Sequence, residues 1–143
     1  MEFNGGTDMR TGVTMTALAG VGLVVGFAAL QQGGRTLTAA LGGTGGASGS
    51  AEVRASLGQE EVCYELSLTN VDGATAAHVH LGGAGSSGPA VITFAVPSGG
   101  SSKGCVNVNR ALVRDLIEAP GDYYVDVHTA AAPKGAVRGQ LKK

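Results

Sequence analysis

The stretch EVCYELSLTNVDG, residues 61–73, alternates apolar and polar side chains and then enters a turn sequence. Its apolar members share one parity: Val62, Tyr64, Leu66 and Leu68. Because successive side chains of a strand point to opposite faces, this period of two predicts a strand with one face in a core and the other in solvent. The NVDG sequence that follows is typical of a turn.

The same period of two recurs along the chain beyond residue 34. Seven further segments have strand character: RTLTAAL (35–41), SAEVRASL (50–57), TAAHVHL (75–81), AVITFAV (90–96), CVNVN (105–109), YYVDVHT (123–129) and AVRGQL (136–141). Sequences such as GGAGSSGP (82–89) and PSGGSSKG (97–104) are assigned to the turns between them. We therefore predict an all-β fold, an antiparallel Greek-key β-sandwich or partly open barrel of about eight strands.

One segment, NRALVRDLIEAPG (109–121), has helical rather than strand spacing. Leu112, Leu116 and Ile117 recur at the helical period. Asn109 can cap the first turn, and Pro120 followed by glycine ends the helix. We expect one short helix that covers one end of the sheets.

The composition indicates one domain with a core of small residues. The chain has 143 residues, of which 43% are hydrophobic but only 4% aromatic, and it contains 25 glycines and no tryptophan. The formal net charge is −1, and the lysines and arginines are scattered singly. Since nucleic-acid binding requires a concentrated basic surface, we expect no nucleic-acid partner.

The N-terminal region contains an uncharged, apolar segment at residues 13–30. Its length is at the lower limit for spanning a bilayer and above that of a typical signal-peptide core. We therefore predict a hydrophobic helix within residues 1–32 that is a cleaved signal peptide or a membrane anchor, followed by a β domain at residues 33–143. An uncleaved helix would contact the membrane or pack with its copies in a filament or membrane assembly.

Two cysteines, Cys63 and Cys105, lie in the part of the chain that would be exported. Outside the cytoplasm a disulfide is the natural state of such a pair, although two free buried thiols are the alternative. A loop of roughly 40 residues would contribute about 3–4 kcal/mol of stability in chain-entropy models. The predicted location is extracytoplasmic, either secreted or membrane-anchored.

The chain has three histidines: His78, His80 and His128. Strand periodicity places all of them on the face opposite the apolar side chains. We expect this outer face to be solvated. If their two strands are neighbours, the imidazoles converge and form a chelate suited to copper or zinc. Asp126 or Glu65 would supply a fourth ligand or an outer hydrogen-bond acceptor. The alternative is ordinary surface histidines bonded to backbone or carboxylates.

Other motifs give little support for catalysis. No serine lies in a GxSxG sequence, and no phosphate-binding loop or dinucleotide motif lies between a strand and a helix. Arg138 has the outward parity and is expected to pair with Asp126 or Glu65, or to be a solvated surface arginine. The sequence therefore favours a binding or structural role over an enzyme.

Four segments together closely resemble the CHRD domain, the module named for its occurrence in chordin and widespread in secreted bacterial proteins. They are VCYELSL (62–68), TAAHVHLGGAGSSGPAVI (75–92), GCVNV (104–108) and ALVRDLIEAPGDYYVDVHTAAAPKGAVRGQL (111–141). The resemblance covers about residues 36–141. It implies a β-sandwich or barrel of an extracellular protein, with the family's histidine motifs at His78, His80 and His128 and its closing arginine at Arg138.

The resemblance also limits the expected function. The sequence GGTGGASGSAEV (42–53) replaces a proline-containing stretch of many members, so binding by the first loop is not expected to carry over. A fainter likeness to copper/zinc superoxide dismutase lacks the further zinc-site histidines, and dismutase activity is not predicted. The leading expectation is an extracytoplasmic binding or structural module of the cell envelope or secretome.

Overall fold

The computed structural model describes residues 34–143 and contains all eight predicted strands. The strands are β1 Gly34–Gly43, β2 Ser48–Ser56, β3 Glu61–Thr69, β4 Ala74–Leu81, β5 Ala90–Phe94, β6 Ser101–Asn107, β7 Tyr123–Thr129 and β8 Val137–Gln140. A helix, α1 (Arg110–Glu118), and one 3-10 turn (Pro120–Asp122) connect β6 to β7. The expected N-terminal helix at residues 13–30 lies outside the described residues. Within residues 34–143, no helix is long and apolar enough to cross a bilayer.

The strands form one antiparallel sheet in the order β5-β4-β7-β8-β1-β2-β3-β6. Its two end strands approach each other near the β5–β6 connection, where the Ser102 hydroxyl donates to the Ala95 carbonyl at 2.9 Å. The sheet is therefore a nearly closed barrel, and the all-β prediction is confirmed. The order also makes β4 and β7 neighbours, which is the arrangement that the histidine hypothesis requires.

The inward-facing apolar side chains of the strands fill the barrel. Fully buried side chains include those of Leu37, Val53, Leu66, Val79 and Val127. Tyr64 and Phe94 stack beneath the seam between β5 and β6 with ring centroids 4.0 Å apart. Since burial of each aliphatic side chain contributes about 1.5–3 kcal/mol, this continuous inner face is the main stabilising feature of the fold.

Helix α1 begins and ends where the sequence predicts. The side-chain oxygen of Asn109 accepts a hydrogen bond from the backbone N–H of Leu112 at 2.9 Å, which caps the first turn. The helix ends at Glu118, two residues before Pro120. Its fully buried side chains are Val113 and Leu116, while Leu112 and Ile117 pack at the edge of the core.

Two local expectations about strand ends are wrong. Strand β6 begins at Ser101, inside the segment assigned to a turn, because the chain already pairs with β3 there and turns earlier, at Gly99 and Gly100 with φ of 87° and 95°. Leu81 has core parity in the sequence but is 43% exposed, since it is the last residue of β4 and the backbone turns away at Gly82.

The predicted disulfide between Cys63 and Cys105 is confirmed. The two residues lie directly opposite each other on β3 and β6, and both side chains have the outward parity. Because β6 has a partner strand on only one side, the disulfide joins an end strand of the sheet covalently to its neighbour.

Candidate metal centre

The three histidines come together on the outer face of the β4–β7 pair. In the antiparallel register, His78 lies opposite Asp126, His80 opposite Tyr124, and His128 opposite Ala76. The alternation of each strand directs all three imidazoles to the same face. The three histidines lie on the outer face, as the strand pattern predicts. The structure also shows that β4 and β7 are neighbours, which the prediction had to assume.

The carboxylate of Asp126 lies at the centre of the cluster. Its Oδ1 is 3.0 Å from Nε2 of His80 and 3.6 Å from Nδ1 of His78, and its Oδ2 is 3.0 Å from Nε2 of His128. The Asp126 side chain is 1% exposed, whereas the imidazoles retain 12–22%. One donor atom from each of the four side chains lies within 4.8 Å of every other. We call His78, His80, Asp126 and His128 the histidine cluster.

Two backbone carbonyls fix the orientation of two of the rings. Nδ1 of His80 lies 2.9 Å from the carbonyl oxygen of Gly88, and Nδ1 of His128 lies 2.9 Å from that of Pro133. Since a carbonyl oxygen can only accept, Nδ1 carries the proton in both rings. Nε2 of His80 is in hydrogen-bonding geometry with Oδ1 of Asp126 at 3.0 Å, so it donates to the carboxylate when the ring is doubly protonated. In the neutral rings of His80 and His128 the Nε2 lone pair faces Asp126 and is available to a metal ion.

Two nitrogens of the cluster have no hydrogen-bond partner. Nδ1 of His78 and Nε2 of His128 are both buried and unpaired. The 3.0 Å contact between His128 and Asp126 is close enough for a hydrogen bond, but its angles do not make one. A lone pair facing a carboxylate is unfavourable in a buried site unless a proton or a metal cation lies between them.

Electrostatics favour the neutral form of His78. Burial lowers the pKa of its imidazole below the usual 6.5, the negative charge of Asp126 opposes this shift, and His128 and His80 reinforce it. The neutral form is the one that can donate a lone pair to a metal ion.

The glycine-rich segment at residues 82–89 folds over part of this face. The backbone N–H of Gly88 donates to the hydroxyl of Tyr124 at 3.2 Å, and Arg138 donates to the carbonyl of Ser86 at 2.8 Å. Tyr124, which the loop and Arg138 contact, is 0% exposed, and Asp126, which the three imidazoles surround, is 1% exposed, although both have the outward parity. The expectation that this face is solvated is wrong for these two residues, because the loop covers Tyr124 and the imidazoles cover Asp126.

Tyr124 links the histidine cluster to strand β8. Its ring stacks on His80 with centroids 4.8 Å apart and an angle of 1° between the planes. The guanidinium carbon of Arg138, on the other neighbouring strand, lies 4.3 Å from the centre of the same ring. Arg138 is opposite Asp126 in the β7–β8 register but donates to Ser86, so the expected pairing with Asp126 or Glu65 is replaced by a cation–π contact and a loop contact.

Glu65 is not brought to the histidine cluster. It lies on β3, opposite Glu52 on one side and Lys103 on the other, and three strands separate it from β7 in either direction around the barrel. Of the two acidic candidates, the structure places only Asp126 among the imidazoles.

Several contributors to the site carry no signal in the sequence. The carbonyls of Gly88 and Pro133 are backbone groups, which no residue type identifies. Gln140 also escapes prediction: its side-chain oxygen accepts from the N–H of Ala84 at 2.7 Å, and its nitrogen donates to the Gly82 carbonyl at 3.1 Å. Its outward parity, shared with Arg138, predicts only that it lies on the outer face.

The fold and the site together define a small antiparallel β-barrel domain with a cross-strand disulfide and a three-histidine, one-carboxylate cluster on its outer face. The sequence model of the CHRD domain family matches residues 27–141, so the chain belongs to this family. A search of curated proteins found no significant match.

Proposed function

We propose that this CHRD domain is an extracytoplasmic binding module whose histidine cluster holds one divalent transition-metal ion, either zinc or copper. One observation carries the proposal: two buried imidazole nitrogens, in His78 and His128, have no hydrogen-bond partner and face the buried carboxylate of Asp126. A cation between these groups would satisfy all of them at once.

The donor set suits zinc or copper. Imidazole nitrogen is a preferred ligand of both ions, and a carboxylate oxygen completes a four-ligand set for zinc. The positive charge of the ion would offset the cost of the buried Asp126 carboxylate. The donor atoms need to approach one another by at most about 1.5 Å to reach the ligand separations of about 3.3 Å around tetrahedral zinc.

Three further observations support a binding module outside the cytoplasm. The rims of the imidazoles remain 12–22% exposed, so a bound ion would meet solvent or a donor group of a partner on one side only. Membership in the CHRD family supports a binding or structural module. The disulfide supports an oxidising, extracytoplasmic compartment, where such bonds persist.

The direct experiment is a metal titration of the purified full chain after removal of metal with a chelator. Zinc and copper are added separately, and stoichiometry is measured by calorimetry and by elemental analysis after desalting. We expect one ion per chain in the wild type and loss of this binding in a His78→Ala/His80→Ala variant.

The matched control is Glu65→Gln, which removes a carboxylate from the other side of the barrel and should leave binding unchanged. Equal metal content in the wild type and the double-histidine variant would overturn the proposal. A melting temperature of the metal-free variant close to that of the metal-free wild type shows that the variant is folded.

A further inference from the structure

The outer face of β3 and β6 carries a second group of side chains of the types that bind metal ions. Two of them are cysteines, which cannot bind a metal ion while they form a disulfide. We propose that reduction of the Cys63–Cys105 disulfide creates a metal site in which the two thiolates and the carboxylate of Glu61 bind a thiophilic divalent ion such as zinc. This proposal is independent of the histidine cluster.

The three donors are already assembled by the strand geometry. Glu61 precedes Cys63 by two residues on β3, so both side chains lie on the same face. A carboxylate oxygen of Glu61 is 3.3 Å from Sγ of Cys63. One donor atom from each of Glu61, Cys63 and Cys105 lies within 4.8 Å of the other two.

The disulfide must be reduced before an ion can bind, because the thiolate is the form of cysteine that ligates metals. Cys105 is exposed and Cys63 is half-buried, so the sulfur of Cys105 is the accessible one. A thiolate of an external dithiol attacks that sulfur, the S–S bond breaks, and Cys63 leaves as a thiolate.

The second thiol of the reductant then displaces Cys105 from the mixed disulfide. Two electrons pass from the dithiol to the protein, and the reductant becomes a disulfide. When the ion binds, protons that remain on the protein thiols are released to solvent.

The local charge would attract a cation after reduction. Arg54 lies opposite Cys63 on β2, and Lys103 lies opposite Glu65 on β6. The negative charges near the site would then outnumber these two positive charges. They are the two thiolates and the carboxylates of Glu52, Glu61 and Glu65. A divalent ion relieves the repulsion within this acidic group.

The ladder between β3 and β6 would keep the donors opposed without the disulfide. Backbone pairing runs from Glu61↔Asn107 to Ser67↔Ser101 and includes the cysteine pair. Two sulfurs and one oxygen leave a fourth tetrahedral position for water, a coordination that zinc accepts.

The test uses the full chain with His78→Ala, His80→Ala and His128→Ala, which removes the histidine cluster. The protein is reduced with a phosphine, which contributes no thiolate, and titrated with Cd²⁺ while thiolate-to-cadmium charge-transfer absorption is recorded. We expect one Cd²⁺ per reduced chain, displacement by excess Zn²⁺, and no absorption change in the oxidised chain or in a Cys105→Ser variant.

A Glu61→Gln variant tests the carboxylate. We expect its Cd²⁺ affinity to fall at least about ten-fold, since loss of even an outer partner of a metal ligand has an effect of that size. The control Glu118→Gln, at an exposed position at the end of α1, should bind as tightly as the parent.

Three results would overturn the proposal. The first is a folded, reduced chain that shows no charge-transfer absorption. The second is an equal Cd²⁺ affinity of the Glu61→Gln and Glu118→Gln variants. The third is loss of the β-sheet circular dichroism signal on reduction, because the assembled donors would then no longer exist.

Discussion

Nε2 of His128 lies 3.0 Å from Oδ2 of Asp126, yet the two atoms make no hydrogen bond. Nδ1–H of the same ring donates a hydrogen bond to the carbonyl of Pro133, so in the neutral ring Nε2 presents a lone pair to the carboxylate. In a buried site this arrangement calls for a proton or a metal cation between the two groups, and only the metal cation also binds the neighbouring imidazoles. The predictions about the histidine cluster follow from this relationship.

Substitution of Asp126 should weaken metal binding more than substitution of any carboxylate outside the cluster. Asp126→Asn keeps the shape of the side chain but removes its charge, and we expect the affinity for zinc to fall about 10–100-fold. Competition with a chromophoric chelator measures this change. Glu65→Gln serves as the control, and equal dissociation constants for the two variants would contradict the assignment of Asp126 as a ligand.

The stability of the metal-free chain should depend on the protonation of His78. Burial lowers the pKa of His78 in the folded chain, while the unfolded chain has the ordinary value of 6.5. Between these two values the unfolded chain binds more protons, so the free energy of unfolding falls as the pH drops below 6.5. Below the folded-state pKa the loss is complete and constant.

Urea unfolding of the wild type and a His78→Gln variant between about pH 8 and about pH 5 measures this contribution. The difference between the two profiles isolates His78 from the other titrating groups. We expect the wild type to lose more stability than the variant over this interval. Parallel profiles would show that His78 titrates normally in the folded chain.

The disulfide should contribute substantially to stability. It closes a loop of sequence separation 42, for which chain-entropy models give about 3–4 kcal/mol. We expect the free energy of unfolding to fall by about this amount in a Cys63→Ala/Cys105→Ala variant. Urea unfolding of the oxidised and reduced wild type checks the same quantity, and coincident midpoints would contradict it.

Gln140 should hold the loop at residues 82–89 in place. Its side chain bonds the N–H of Ala84 and the carbonyls of Gly82, Gly121 and Tyr123 at 2.6–3.1 Å. We expect Gln140→Ala to cost about 1–2 kcal/mol, since several partly buried hydrogen bonds are lost at once. Amide hydrogen exchange should become faster in the loop but not in the β1–β2 turn at residues 44–47, and unchanged exchange in the loop would count against this role.

The strand pattern predicts most of the fold because it is a local property. The alternation in EVCYELSL and YYVDVHT indicates which side chains face the core. The capping residue Asn109 indicates where α1 begins. The ends of β6 and β4 were harder to predict, since pairing of Ser101 with β3 and the turn at Gly82 depend on contacts that are distant in the sequence.

The same distinction applies to the site. Parity predicts that His78, His80 and His128 share the outer face, but only the sheet order shows that their strands pair and that Glu65 lies elsewhere. The burial of Asp126 could not be predicted from alternation, because it results from imidazoles of β4 and β7 that surround the carboxylate once the two strands pair. Arg138 was expected to pair with a carboxylate, whereas it stacks on a tyrosine that it meets only in the folded chain.

The most direct test of the central claim is a crystal structure of the chain soaked with zinc, with the ion located by anomalous diffraction at the zinc edge. The account predicts one strong anomalous peak about 2.0–2.2 Å from Nδ1 of His78, Nε2 of His80, Nε2 of His128 and a carboxylate oxygen of Asp126. A well-ordered histidine cluster without a peak, or a peak bound only elsewhere on the chain, would contradict it.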